Sequence, residues 1–558
     1  MRKPRILMCS EASFLNTGYS TYTREVMNYL NATGKYELGE MAAYGQRNDP
    51  RGQELPWKYY GVQPNTDHEP KASKEEVDAY YSNTAAQFGG FIFEHVCLDF
   101  RPDIVYDIRD FWQLEFAERS PFRPFYHWVI MPTVDATPQA RQWVESYSNA
   151  DAVFTYSDWA GDILKAQSGG KINYKGTAPP SANPIYRPED KNECRERLGL
   201  DPNIKIIGTV MRNQRRKLFP DLFKAFAEFL SSVENPNEYK LYCHTCYPDL
   251  GWDIPELLLE HGLSAHVYFT YKCPETDQVF ASLFSGAISE SPFTGKFNAS
   301  MCNVKHGATY DQLATIMNCF DLYVQYANSE GFGMPLLEAA ACGIPGCATD
   351  YSAMSSIIRK LDGEPLPPKT LYKELETGCM RAVPDNDYFV NFLKKFFFEL
   401  SQEDRDAWGK VSRKRFEDNF TLKQTCENLM ECFDELPIRD WSETWDSPSR
   451  ISEPEPMPEQ LPENITHKGL AQWLITQVLC EPDKLNSHFE SRLTRDLMYQ
   501  SRTSTTGGLY YNESSAAFEG RIIRQPFDAG IAYNEMRKMC DARNHWEQKR
   551  LECSQSPS

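Results

Sequence analysis

No apolar run in these 558 residues approaches the ~20 needed to span a bilayer, so no integral membrane association is expected. Positive charge is short: 59 Lys and Arg stand against 78 Asp and Glu, a formal net charge of −19. Such a surface repels polyanions at long range, which argues against non-specific nucleic-acid binding by the whole chain and leaves room for a local basic site. The sixteen cysteines lack the spacing of a disulfide framework and read as reduced, intracellular thiols. Met1 to Ser10 holds too few apolar residues for a signal peptide and leads straight into a strand, so a cytoplasmic location is expected. A Walker lysine loop, a serine-nucleophile elbow and a paired-cysteine redox motif in a suitable setting are all missing, which sets those three chemistries aside. Cys243 and Cys246 flank His244 at the end of an expected strand, and Cys273, Cys302 and His306 are too few for a closed tetrahedral site, so no metal is expected.

What is there is an alternating α/β pattern. Ile6 to Cys9 is a short apolar run, followed by the loop Asn16-Thr17-Gly18 and an amphipathic stretch from Tyr22 to Leu30. Strands are expected again at Ile104 to Tyr106, Trp128 to Met131 and Ala152 to Tyr156, with a helix over Gln139 to Tyr147. The pattern restarts at Ile204 to Met211, continues with a helix over Phe219 to Leu230, and has further strands at Leu241 to Cys243, Val267 to Phe269 and Leu322 to Gln325. Strands alternating with helices imply parallel sheets covered on both faces, with ligands beyond the carboxyl ends of the strands.

Four prolines between Pro179 and Pro188 mark a hinge. The chain thus divides into residues 1–185 and 186–436, the second interrupted by an insertion near 272–307 and closed by a helix over Thr421 to Leu436. The phenylalanine-rich run Asn391 to Phe398, with Lys394 and Lys395, is expected to pack one face on that second domain, contact with a membrane surface being the alternative reading. A Pro/Glu-rich linker is expected at 437–465. Residues 466–558 read as an accessory helical region, with helical patterns at Leu470 to Leu479 and Ala532 to Leu551 around a Ser/Thr/Gly stretch at Ser501 to Gly508.

The strongest local signal runs Asn328-Ser329-Glu330-Gly331-Phe332-Gly333-Met334-Pro335-Leu336-Leu337-Glu338 and on through Ala339 to Pro345. It follows an expected strand and enters a helix near Pro335, where a missing N–H costs nothing. Gly331 and Gly333 let the backbone approach a ligand, and the helix N-terminus offers free N–H groups and the positive end of a dipole. That suits a diphosphate or the hydroxyls of a sugar. Glu330 in the loop and Glu338 about a turn inside the helix can face the same cleft as hydroxyl acceptors. Upstream, the strand Ile204 to Met211 ends in the basic loop Arg212-Asn213-Gln214-Arg215-Arg216-Lys217.

Two glutamates with seven residues between them, a Gly-Phe-Gly-x-Pro core and an Ala-x-Gly-x-Pro tail make residues 330–345 resemble the retaining family-4 glycosyltransferases. The resemblance implies an α/β protein of the GT-B fold, with two facing Rossmann-like domains and a C-terminal, mostly helical extension. Residues 1–185 would be the acceptor-side domain and 186–436 the donor-binding domain. By the same resemblance Glu330 holds the donor sugar, the backbone of Gly331, Phe332 and Gly333 holds sugar and diphosphate, and Glu338 accepts from the ribose hydroxyls. Arg212 and Lys217 fall at the family's diphosphate clamp, with Leu218 where the family has glycine. Gly18 corresponds to its N-terminal glycine loop. The family's polar group near the donor sugar, often a histidine, falls at Asp135 here, since His127 comes too early in its strand. Glu330, Asp135, Arg212 and Lys217 are the expected catalytic set.

The implied reaction moves a sugar from a nucleoside diphosphate, a UDP-sugar by expectation, to a hydroxyl acceptor with retention of configuration and no other cofactor. Segments Phe154 to Trp159 and Val324 to Glu330 also resemble glycosyltransferases of tailed phages, which would place the protein in a host cytoplasm and add hydroxymethylated DNA bases to glycans as candidate acceptors. Two alternatives share the site: a nucleotide-sugar 2-epimerase of the same fold, and a non-catalytic sugar-nucleotide-binding scaffold. Residues 466–558 are the expected place for a homo-oligomer interface.

Overall fold

Ile6, Leu7, Met8 and Cys9 are completely buried, as an unbroken apolar tetrad must be in the centre of a sheet covered on both faces. The computed structural model describes residues 2–442 apart from 111, 112, 114, 287, 294, 296, 304 and 305, together with 466–485, 489–490, 493–494, 497 and 529–555. The chain forms two compact units, one of Met1–Met131, Arg141–Val153 and Phe433–Ser558, the other of Pro132–Ala140 and Phe154–Cys432.

The first sheet comprises β1 (Arg5–Glu11), β2 (Glu37–Gln46), β3 (Lys58–Gln63), β4 (Ile104–Asp107), β5 (His127–Ile130), β6 (Ala152–Thr155) and β7 (Tyr174–Thr177), in the order β3-β2-β1-β4-β5-β6-β7. Its strand pairs from β3 to β6 are parallel, with β1 at the point where the order reverses. The chain leaves the first unit within β6, after Val153. After β1 comes the helix Gly18–Thr33, whose N-cap Thr17 accepts from Ser20 N at 3.2 Å. Within this unit the helix Ala529–Gln555 sets Trp546 edge-on against His95 at 5.0 Å between ring centres. Leu470, Leu474, Phe489, Leu493 and Cys540 form a small core of their own. Most of the expected linker and the Ser501 to Gly508 stretch lie outside the described residues.

The second sheet comprises β8 (Lys205–Val210), β9 (Tyr239–His244), β10 (Val267–Lys272), β11 (Val279–Leu283), β12 (Ile288–Glu290), β13 (Phe297–Met301), β14 (Leu322–Gln325), β15 (Gly346–Thr349) and β16 (Glu364–Leu366). Its order is β12-β13-β10-β9-β8-β14-β15-β16, with β11 also on β10. The strands from β10 through β16 along that order are parallel, whereas β11, β12 and β13, all from the expected insertion, add antiparallel edges. A separate antiparallel hairpin follows: β17 (Pro368–Lys373) and β18 (Met380–Pro384).

Phe219, Phe223, Phe226 and Phe229 line one face of the helix Phe219–Ser231 and are buried with Phe389, Phe392, Phe396 and Phe397 in the core of this unit. Of the Asn391 to Phe398 phenylalanines only Phe398 is exposed. No helix among the described residues is long and apolar enough to cross a membrane. All sixteen cysteines are free thiols.

Candidate functional site

β8 and β14 are neighbours, so their carboxyl ends deliver the basic loop and the acidic loop side by side. The backbones then touch: Lys217 pairs with Ala327 in an isolated antiparallel bridge. The Lys217 ammonium contacts the Glu330 carboxylate, and both side chains are only 8% exposed. Gln325 Nε2 donates to Glu330 Oε1 at 3.0 Å, Arg216 Nη2 stands 3.8 Å from Oε2, and Glu330 N donates to Ser352 Oγ at 2.9 Å. Burial pushes the ammonium well below the usual lysine value and Arg216 adds to that push. The carboxylate against it is the counter-charge that favours the ammonium form. Two charges this deep persist because each answers the other.

Gly333 holds φ at 98° immediately before the helix Met334–Ala341, which has Pro335 in its first turn. A Cβ on Gly331 would come within 2.4 Å of Thr133 Cγ2, so only glycine lets the loop lie so close to the 132–140 segment. The Phe332 ring is buried beside Tyr156 and Phe420, at 6.2 and 6.4 Å between ring centres, and anchors the loop. Glu338 keeps part of its surface open, yet burial pushes its carboxyl up to about 7, against a smaller opposing pull from Tyr186.

Asp135 belongs by its contacts to the second unit. Its Oδ2 accepts from Arg381 Nη1 at 2.8 Å and from Ser329 Oγ at 3.4 Å. Arg381 carries no sequence motif. It is nevertheless buried, and also donates to Ser329 Oγ at 2.6 Å and to Glu374 Oε2 at 2.8 Å. The one signal that could have pointed to it is the Thr377-Gly378 turn between two strand-like runs, a hairpin mark.

Arg212 stands apart from this group. Its guanidinium is held in a two-pronged bond by Asp249, with Nε–Oδ2 at 2.8 Å and Nη2–Oδ1 at 3.0 Å, and is half exposed. The arginine beside Glu330 is Arg216. Gly18 lies in the first unit at the start of its helix, with open space around an added Cβ. His127 has both ring nitrogens engaged, Nε2 with the Pro437 carbonyl at 2.9 Å and Nδ1 with Arg439 Nη2 at 3.2 Å. Burial, reinforced by Arg439, lowers its pKa. Among the described residues no group of three or more His, Cys, Asp or Glu side chains stands together as a metal site.

Residues 296–392 match the family model Glycosyl transferases group 1, a span that holds Glu330, Glu338 and Arg381 and begins after Lys217. D-inositol 3-phosphate glycosyltransferase of Rhodococcus opacus is 23% identical over 303 residues, 53% of this chain and 56% of that protein. Sucrose synthase 2 of Hordeum vulgare is 31% identical over 136 residues, 24% of this chain and 14% of that protein. The chain therefore spans just over half of one of these curated relatives and far less of the other. Among solved structures, sucrose-phosphate synthase of Thermosynechococcus elongatus superposes with a TM-score of 0.56 at 16% identity, covering 78% of this chain and 99% of that one. HepE of Anabaena in complex with UDP gives 0.52 at 14% identity, covering 78% and 100%. The fold is GT-B. Within this GT-B chain, residues 296–392 are similar to the Glycosyl transferases group 1 model.

Proposed function

We propose that this protein is a retaining glycosyltransferase that moves a sugar from a UDP-sugar to a hydroxyl acceptor. The observation that carries the reading is the buried Lys217–Glu330 pair beside the Gly331–Gly333 loop, at the N-terminus of the helix that bears Glu338. Residues 186–436 bind the donor and residues 1–185 serve the acceptor. Lys217 turns from Glu330 to the diphosphate when donor enters, and neutralises it as charge develops on departure. Glu330, so released, accepts from the donor sugar's hydroxyls. Arg212 swings from Asp249 to the same diphosphate, and Asp135 faces the sugar. The acceptor attacks from the face the diphosphate leaves, and the diphosphate takes its proton. HepE, solved with UDP, has the same fold and supports UDP as the nucleotide.

Incubation with UDP-, GDP- and ADP-sugars, one at a time, tests this. UDP-glucose should raise the unfolding temperature and be slowly hydrolysed, and Glu338→Ala should abolish both. A full shift in Glu338→Ala would refute the site, and no shift with any sugar nucleotide would refute the function.

Glu338 also makes donor binding pH-dependent. Its carboxyl, pushed up to about 7 by burial, accepts from ribose hydroxyls far more strongly when ionised. UDP affinity should thus fall by up to about tenfold from pH 8 to pH 6, and in Glu338→Gln the trend should vanish. Stability runs the other way. A carboxyl raised above its unfolded value binds protons in the fold, so this group's contribution improves as pH falls through 7 towards its unfolded pKa. Calorimetric titration at three pH values checks the first trend, and a flat wild-type profile would contradict it.

A further inference from the structure

Arg381 is a large cation with 7% of its surface exposed, set on β18 beside the donor loop. Such a group is costly to bury unless its donors are used, and here both terminal nitrogens are, while Nε finds no hydrogen-bond partner among the described residues. Nη1 reaches both Asp135 Oδ2 at 2.8 Å and Ser329 Oγ at 2.6 Å, while Nη2 is taken by Glu374 at 2.8 Å. One planar fork thereby ties together a residue of the 132–140 segment and the residue just before Glu330.

The hairpin does not need this side chain to grip those segments. Ala382 N already donates to Asn328 O at 3.0 Å, Met380 N to Thr137 O at 2.8 Å, and Asn328 Nδ2 to the Tyr372 hydroxyl at 3.0 Å. The backbone does the fastening, and the guanidinium is left to orient side chains. A lysine there would keep the charge and lose the fork.

We propose that Arg381 is a positioning residue of the donor site, fixing the Asp135 carboxylate and the Ser329 hydroxyl relative to Glu330. This rests on the glycosyltransferase reading above. It adds a residue outside the two glutamates and the basic loop, drawn from a hairpin that follows the helix bearing Glu338 in the chain.

The test uses the full chain with UDP-glucose hydrolysis and UDP binding as readouts. Arg381→Lys should lower kcat about 100-fold and leave KM and UDP affinity within about threefold, because misplaced groups slow the chemistry more than they weaken binding. Glu374→Gln, which removes only the outer partner, should leave all three within about threefold of wild type. An unchanged kcat in Arg381→Lys overturns the proposal, as does Glu374→Gln matching its loss, which would mark a merely structural brace. Ser329→Ala keeps both charges and carries the test if Arg381→Lys does not fold. It should lower kcat about tenfold at constant KM, and unchanged turnover again overturns the proposal. A wild-type protein that neither binds UDP nor hydrolyses UDP-glucose refutes the glycosyltransferase reading and this proposal with it.

Discussion

Glu330→Gln and Lys217→Met should each lower stability by about 3–5 kcal/mol, because each leaves its partner as an unanswered charge in the interior. The double variant should recover most of that loss, since removing both charges removes the desolvation cost along with the attraction. Donor turnover should behave differently. Each single change should cut kcat by about 100- to 1000-fold, the cost of losing one preorganised donor at a developing charge, and the double variant should recover none of it. The contrast follows from the geometry. Both side chains are 8% exposed and touch each other, so their coupling in the fold is direct. Their proposed chemical roles are separate, one on the diphosphate and one on the sugar. Denaturant unfolding of all four proteins, with UDP-glucose turnover of the folded forms, measures both effects. Strictly additive stability losses would show that the pair is not coupled, and an active double variant would remove both residues from the site.

The central strands of both sheets were legible because burial on both faces forces continuous apolar runs. Ile6 to Cys9 and Leu322 to Val324 are completely buried. β2 was not legible. Its sequence Glu-Leu-Gly-Glu-Met-Ala-Ala-Tyr-Gly-Gln has neither alternation nor β-branched residues. It pairs in parallel with β1 on one side and β3 on the other, and its fully buried Glu40 accepts from Ser13 N at 2.7 Å, Ser13 Oγ at 2.9 Å and Trp57 Nε1 at 2.7 Å. No local pattern shows that a glutamate will find three donors. The candidate site divides the same way. The contiguous stretch from Glu330 to Glu338 announces itself through its glycines and Pro335. Arg381 meets Asp135 across 246 positions of sequence, and only the fold brings them together. The basic loop shows a finer limit. Spacing selects Arg212 and Lys217, but the chain's turn puts Arg216 beside Glu330 and leaves Arg212 with Asp249.

Asp321→Asn should cost the fold about as much as breaking the Glu330 pair, roughly 3–5 kcal/mol, while sparing the chemistry of every molecule that stays folded. Asp321 immediately precedes β14, and its carboxylate joins three elements. It accepts from Lys191 Nζ at 2.7 Å, from Arg195 Nη2 at 2.8 Å and from Ile206 N at 2.7 Å. The Arg195 side chain is 4% exposed, so the asparagine variant would leave a buried guanidinium without its counter-charge. Asp321 and the loop bearing Glu330 flank opposite ends of this four-residue strand, about 13 Å long at ~3.3 Å per residue, so a charge lost at one end need not move the other. Acid should shrink the difference. Burial works to raise this carboxyl, but Lys191 and Arg195 overcome it and hold the pKa below the ordinary aspartate value. A lowered pKa means stability that is present above the unfolded value near 3.9 and is lost as pH falls through the folded one. Wild type and variant should therefore differ fully at about pH 7, and the gap should begin to narrow only as pH falls below about 3.9. A gap that stays constant below that point would show that the ionised carboxylate is not what holds β14 in place. A fall in turnover per folded molecule would show that the two ends of the strand are coupled after all.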